Sequence, residues 1–144
     1  IYDTLVAHSP DKKDQFTANY NQFIKDLDEL DQQLAQTFLP IKNKNVLVFH
    51  PVFGYLAQAY NFNQVAIEIE GKDPSPAQLQ KVIQAAQKDG TRIIFVQEQF
   101  STKSAQAVAK EIGGVVVPID PLAKDYFDNL REMADIIVSS LNDS

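Results

Sequence analysis

Val46-Leu47-Val48-Phe49-His50-Pro51 is the stretch on which the fold turns. Four apolar residues in unbroken succession, rather than alternating with polar ones, are the pattern of a strand buried on both faces, as parallel strands are. The run stops at a histidine and a proline, and proline cannot continue a hydrogen-bonded ladder. Three downstream segments read as further strands: Gln64–Ile69, Arg92–Val96 and Val115–Ile119. The intervening stretches carry helical punctuation. Gly54–Tyr60 reads as a short helix. Ser75 with Gln78 forms a capping-box pattern for a helix running to about Lys88 and stopped by Asp89-Gly90. Ser101 caps a helix to about Ile112 that Gly113-Gly114 ends. Leu122–Leu141 closes the chain as a helix, with Leu130, Ala134, Ile137 and Leu141 along one side.

Upstream of the first strand the pattern is purely helical. Ile1–Ala7 reads as a short helical end. Ser9 then suits an N-cap, Pro10 a first helical position and Asp11 a first turn. From there Phe16, Tyr20, Phe23, Leu27, Leu30, Leu34 and Phe38 recur every three or four residues as one helical stripe, and Pro40 stops it. Lys25, Asp28, Asp31 and Gln32 lie off the stripe, on its solvated face. The order is thus one helical region followed by four β-α units. It implies an α/β fold: a four-stranded parallel sheet flanked by helices on both faces, with right-handed crossovers, preceded by a long helix. No linker divides the chain. The expectation is one domain over 1–144, with the long helix at 10–38 and the βα repeats at 45–144.

Composition narrows the function. Nineteen acidic residues against thirteen Lys and Arg give a net charge of −6, the wrong sign for a surface that neutralises phosphates, so no nucleic-acid partner is expected. The absence of cysteine removes disulfides, thiolate zinc sites and thiol nucleophiles together. No stretch is apolar enough for a membrane span. The chain opens at Ile1 with no signal-peptide pattern, which suggests a processed or trimmed chain. Nucleotide-binding glycine motifs and the G-x-S-x-G elbow are absent.

Ligands of open parallel sheets sit beyond the carboxyl ends of the strands. The residues delivered there are His50-Pro51, Glu68 with Glu70-Gly71, Gln97-Glu98 and Asp120-Pro121. His50 stands out, because a neutral imidazole at that edge can ligate a metal or shuttle a proton. The plainer reading is a half-buried histidine bonded to a nearby loop. Asp120 also has a plain reading, as the N-cap of the closing helix. Glu98, Glu68 and Glu70 read as well as solvated or ion-paired acids as they do as ligands. His8, in a turn beside Ser9-Pro10, reads as an exposed turn residue. Phe49, Phe53, Tyr55 and Tyr60 have the spacing of a helix packed on a sheet. With two histidines and no cysteine, a closed zinc site built from this chain would have to include carboxylates.

Several segments, taken in order, resemble the metal-binding proteins of bacterial ABC importers, in the cluster specific for zinc and manganese. They are Asn19-Tyr20-Asn21-Gln22-Phe23 with Leu27–Asp31, Phe49-His50-Pro51-Val52-Phe53-Gly54-Tyr55-Leu56 followed by Ala59-Tyr60-Asn61-Phe62, Glu70–Leu79, Ile94–Lys103 and Val117-Pro118-Ile119-Asp120-Pro121-Leu122. Each motif is weak alone; together they span nearly the whole chain in family order. The resemblance implies a protein of two lobes joined by a rigid helix, with a metal ion in the cleft between them and two ligands from each lobe. The ligands from this part of the chain would be His50 and Asp120. Histidine at the first position points to Zn²⁺, whereas manganese members tend to carry glutamate there; Mn²⁺ is the alternative ion. The resemblance makes this chain the C-terminal lobe, with 1–7 the tail of the inter-lobe helix, and leaves the N-terminal lobe and its histidines missing. His8 stands where the family commonly carries an acid and replaces no ligand. The implied partners are that N-terminal lobe and an ABC-importer membrane permease, and the implied location is periplasmic, or at the cell surface as a lipoprotein.

The reading is therefore capture of a divalent metal for delivery to an importer, without catalysis, and with weak metal binding by the lobe alone. Two other readings stay open on the residues themselves. One is an α/β enzyme using His50 and Asp120 as an acid/base pair, which would need a third catalytic group. The other is an interaction domain in which both residues only orient loops.

Overall fold

A computed structural model of the chain describes residues 1–68, 74–97 and 103–142. It contains a four-stranded parallel sheet of β1 (Asn45–Val48), β2 (Asn63–Ala66), β3 (Ile93–Gln97) and β4 (Val115–Ile119), in the order β2-β1-β3-β4. The helices are α1 (Tyr2–His8), α2 (Lys13–Phe38), α3 (Gly54–Tyr60), α4 (Pro76–Asp89), α5 (Lys103–Ile112) and α6 (Tyr126–Asn142). The expected α/β architecture is what forms. Pro118 sits within β4, which is tolerated because β4 is an edge strand with one side unpaired.

Two compact units are resolved, residues 1–33 and 34–144. In the first, α1 and the start of α2 meet through a Tyr2–Tyr20 ring stack at 4.9 Å and a Tyr2 hydroxyl to Thr17 hydroxyl hydrogen bond of 2.8 Å. Ser9 makes no side-chain capping bond. A 3₁₀ turn at Pro10–Lys12 precedes α2, so the long helix begins three residues later than its sequence suggests. The apolar stripe of α2 exists, but here Tyr20 and Phe23 are 44% and 51% exposed.

In the second unit the sheet is covered on both faces. Alternation along the strands sends Leu47, Phe49, Ile94 and Val96 to one face. There they form a cluster with Ile67, Ala86 of α4, and Ala105, Val108 and Ala109 of α5. Val46, Val48 and Phe95 take the opposite face, and α6, which buries Met133, Ala134 and Ile137, packs against β3. Phe38 is buried between the rings of Tyr60 and Phe62, each stacked at 5.2 Å.

The helix ends follow their sequence signals. Ser75 and Gln78 make both bonds of a capping box. Gly90 and Gly113 are left-handed, at φ 68° and 64°. After each, the next residue donates back five positions, Thr91 to Ala86 and Gly114 to Ala109, both at 2.8 Å. The closing helix differs from expectation. It starts at Tyr126, not Leu122, and Asp125 occupies its N-cap, with Asn129 N–H donating to the Asp125 carbonyl at 2.9 Å. Asp120 is thereby released from the capping role its position before Pro121 suggests. Ser101, Glu70 and Glu98 lie outside the described residues.

Candidate metal site

Sheet register determines which residues meet at the carboxyl edge. β1 pairs with β2 at a constant offset of 18 residues, from Asn45↔Asn63 to Val48↔Ala66. The ladder continues past the strands: Ile67 N–H donates to Val48 C=O and Glu68 N–H to Phe49 C=O, both at 2.9 Å. On the other side Leu47 pairs with Ile94 and Val48 with Phe95, and Phe49 N–H donates to Phe95 C=O at 2.8 Å. Gln97 pairs with Ile119. Extending these offsets gives one row across the sheet, Glu68–His50–Gln97–Ile119, with Asp120 one residue beyond it on β4.

His50 is held on both its backbone and its ring. Val52 N–H donates to His50 C=O at 3.0 Å, a tight turn made at Pro51. Phe53 N–H donates to Gln64 Oε1 at 2.6 Å, tying the start of α3 to β2. The ring nitrogen Nδ1 lies 2.5 Å from Glu68 Oε2. The His50 side chain is 30% exposed and that of Glu68 only 7%. A nearly buried carboxylate is costly unless paired, and the imidazole is its partner here.

Asp120 accepts from Leu122 N–H through Oδ1 at 3.0 Å, an Asx turn, and Asn129 Nδ2 donates to the Asp120 carbonyl at 3.0 Å. These bonds fix the strand-to-helix corner that carries the carboxylate. His50 and Asp120 thus share the carboxyl edge on strands separated by β3, two strand spacings or about 10 Å apart in backbone. Between them lies Gln97, 3% exposed, whose Oε1 is the one buried side-chain polar atom without a hydrogen-bond partner among the described residues.

Among the described residues no group of three or more His, Cys, Asp or Glu is placed to hold a metal ion. Nor is any helix long and apolar enough to cross a membrane. The groove beside His50, lined by Pro51, Val52, Gly54, Tyr55 and Gln58, has a volume of about 350 Å³. Sequence reading placed Glu68 at this edge but not in contact with His50. The equal 18-residue offset becomes a signal only once β1 and β2 are known to be neighbours.

An open parallel sheet with a histidine–carboxylate pair and an acidic corner at its carboxyl edge is an α/β lobe of the kind whose ligands sit beyond the strand ends. Comparison with known proteins gives the family. Residues 1–140 match the model of the zinc-uptake complex component A, periplasmic (ZnuA), and the chain belongs to that family. It is 31% identical to the zinc-binding protein AdcA of Streptococcus pyogenes over 92% of this chain and 28% of AdcA. It is 30% identical to the high-affinity zinc uptake system protein ZnuA of Bacillus subtilis over 95% of this chain and 47% of that protein. A crystal structure of ZnuA superposes with a TM-score of 0.91 at 39% identity, covering 96% of this chain and 55% of that one. The chain therefore spans about half the length of its ZnuA relatives or less.

Proposed function

We propose that this chain is the C-terminal lobe of a protein that captures Zn²⁺ outside the inner membrane and hands it to an ABC-type permease. His50 and Asp120 would supply this lobe's two ligands. The carrying observation is the row at the carboxyl edge: His50 is presented there with its Nδ1 engaged by Glu68, so the neutral ring offers its Nε2 lone pair as a ligand. An imidazole with a carboxylate suits zinc, and harder ions such as Mn²⁺ would favour an all-oxygen set. Zinc needs four ligands in a closed site, so two from this lobe call for two more from an N-terminal lobe. The metal is cargo, and no catalytic step is required; the names of the relatives, zinc-binding and zinc-uptake proteins, support that reading. A periplasmic or lipid-anchored location agrees with the family description and with the relative in Streptococcus pneumoniae named as a zinc-binding lipoprotein.

The test is zinc-dependent thermal stabilisation of the two-lobed parent beside its His50→Ala and Asp120→Ala variants. The zinc-induced rise in Tm should shrink sharply in each. A rise that survives His50→Ala removes the histidine from the site. For the chain alone, tight one-to-one zinc binding would overturn the two-ligand reading. Affinity should fall as the pH is lowered, because both ligands bind zinc deprotonated.

A further inference from the structure

We infer that Glu68 is a positioning residue that sets the tautomer and orientation of His50, placing the proton on Nδ1 and the metal-binding lone pair on Nε2. The inference rests on His50 being a zinc ligand and adds a residue that does not itself touch the ion. Two observations and one rule of hydrogen bonding carry it. Glu68 Oε2 is 2.5 Å from Nδ1, within the range of a charge-assisted hydrogen bond. An ionised carboxylate only accepts hydrogen bonds, so a neutral ring facing it must carry its proton on Nδ1. Finally, the Glu68 side chain is 7% exposed at the end of a strand whose neighbours Val65 and Ile67 pack into the apolar cluster. A hydrophobic residue would serve packing as well or better there, since exchanging buried ion pairs for apolar residues is often neutral or stabilising. The carboxylate therefore acts on the imidazole rather than on the fold. Its backbone is fixed independently by the Glu68 N–H to Phe49 C=O bond of 2.9 Å, so the carboxylate approaches the ring from a rigid base.

The first arm of the test reads the tautomer directly. Nitrogen-15 spectra of the full chain without metal, in alkaline buffer where imidazoles are neutral, should show His50 with a protonated Nδ1 and an unprotonated Nε2. Glu68→Leu should move the proton to Nε2, the form a free histidine prefers. Glu68→Gln can donate or accept, and should give a mixture. Should either variant fail to fold, the other decides alone. A proton on Nε2 in the unaltered chain, or the same tautomer in chain and variants, overturns the inference. The second arm measures zinc affinity of the two-lobed protein by competition with a chelator. Glu68→Leu should weaken binding about 10- to 100-fold, the usual effect of losing a carboxylate behind a ligating histidine, with Glu68→Gln in between. Unchanged affinity in both variants also overturns it. His50→Ala separates the two claims: if zinc affinity survives that substitution, the ligand assignment fails whatever the tautomer shows.

Discussion

Gly114→Ala tests the joint between β3 and β4, on which the placement of Asp120 depends. Gly114 lies against the backbone of Arg92: a Cβ built on it would overlap the Arg92 carbonyl oxygen and come within 2.7 Å of its carbon and 2.9 Å of its Cα. No rotamer change relieves a clash with main chain. The strands must separate, which strains the next rung, the 2.8 Å bond from Val115 N–H to the same Arg92 carbonyl. Overpacking of this kind costs about 1–3 kcal/mol, and a weakened hydrogen bond adds about 1 kcal/mol. A loss of roughly 3 kcal/mol is a large part of a domain's stability and corresponds to a fall in Tm of about 10 °C at this size. The neighbouring glycine supplies the control. A Cβ on Gly113 meets nothing within 4 Å, but its φ is +64°. Gly113→Ala should therefore cost only the left-handed penalty, about 1–2 kcal/mol. Both variants are measured by urea and thermal unfolding followed by circular dichroism. If Gly114→Ala unfolds no more easily than Gly113→Ala, the close approach of β4 to Arg92 is not a constraint and the reasoning fails.

Further outcomes follow from other contacts. Phe38→Ala empties the space between Tyr60 and Phe62 and should cost about 3–5 kcal/mol, read as a lower urea midpoint. Ser75→Ala removes the capping bond to Gln78 N–H and should cost about 1 kcal/mol, with little effect on zinc affinity in the two-lobed protein. Gln97→Met replaces a buried amide whose Oε1 has no partner among the described residues, and should leave stability unchanged or raise it by about 1 kcal/mol in the same unfolding assay.

Local chemistry was readable in the chain. The apolar run ending at His50 announced a buried strand, because an element covered on both faces has no polar side to show. Gly54–Tyr60 and Val115–Ile119 fall where their sequence places them. Ser75 with Gln78, and the glycines at 90 and 113, carry their signals within a few residues, since caps and left-handed turns depend only on nearby backbone. Where two local signals compete, the sequence misleads. Asp120 and Asp125 both suit a helix cap, and only the path of the corner selects Asp125. The stripe on α2 likewise reads as continuous, yet Phe38 is buried while Phe23 is half exposed, because a helix's own periodicity does not say what covers it.

By itself, then, the sequence determined the element types, the α/β class and, among the described residues, that His50, Glu68, Gln97 and Asp120 stand at the strand ends, since these follow from periodicity and short-range capping. Strand order and register were decided by the tertiary structure alone. Strand pairing is a choice among distant segments made by side-chain packing on two faces: joining β1 to β2 sets Glu68 against His50, and joining β1 to β3 and β3 to β4 leaves Gln97 between His50 and Asp120.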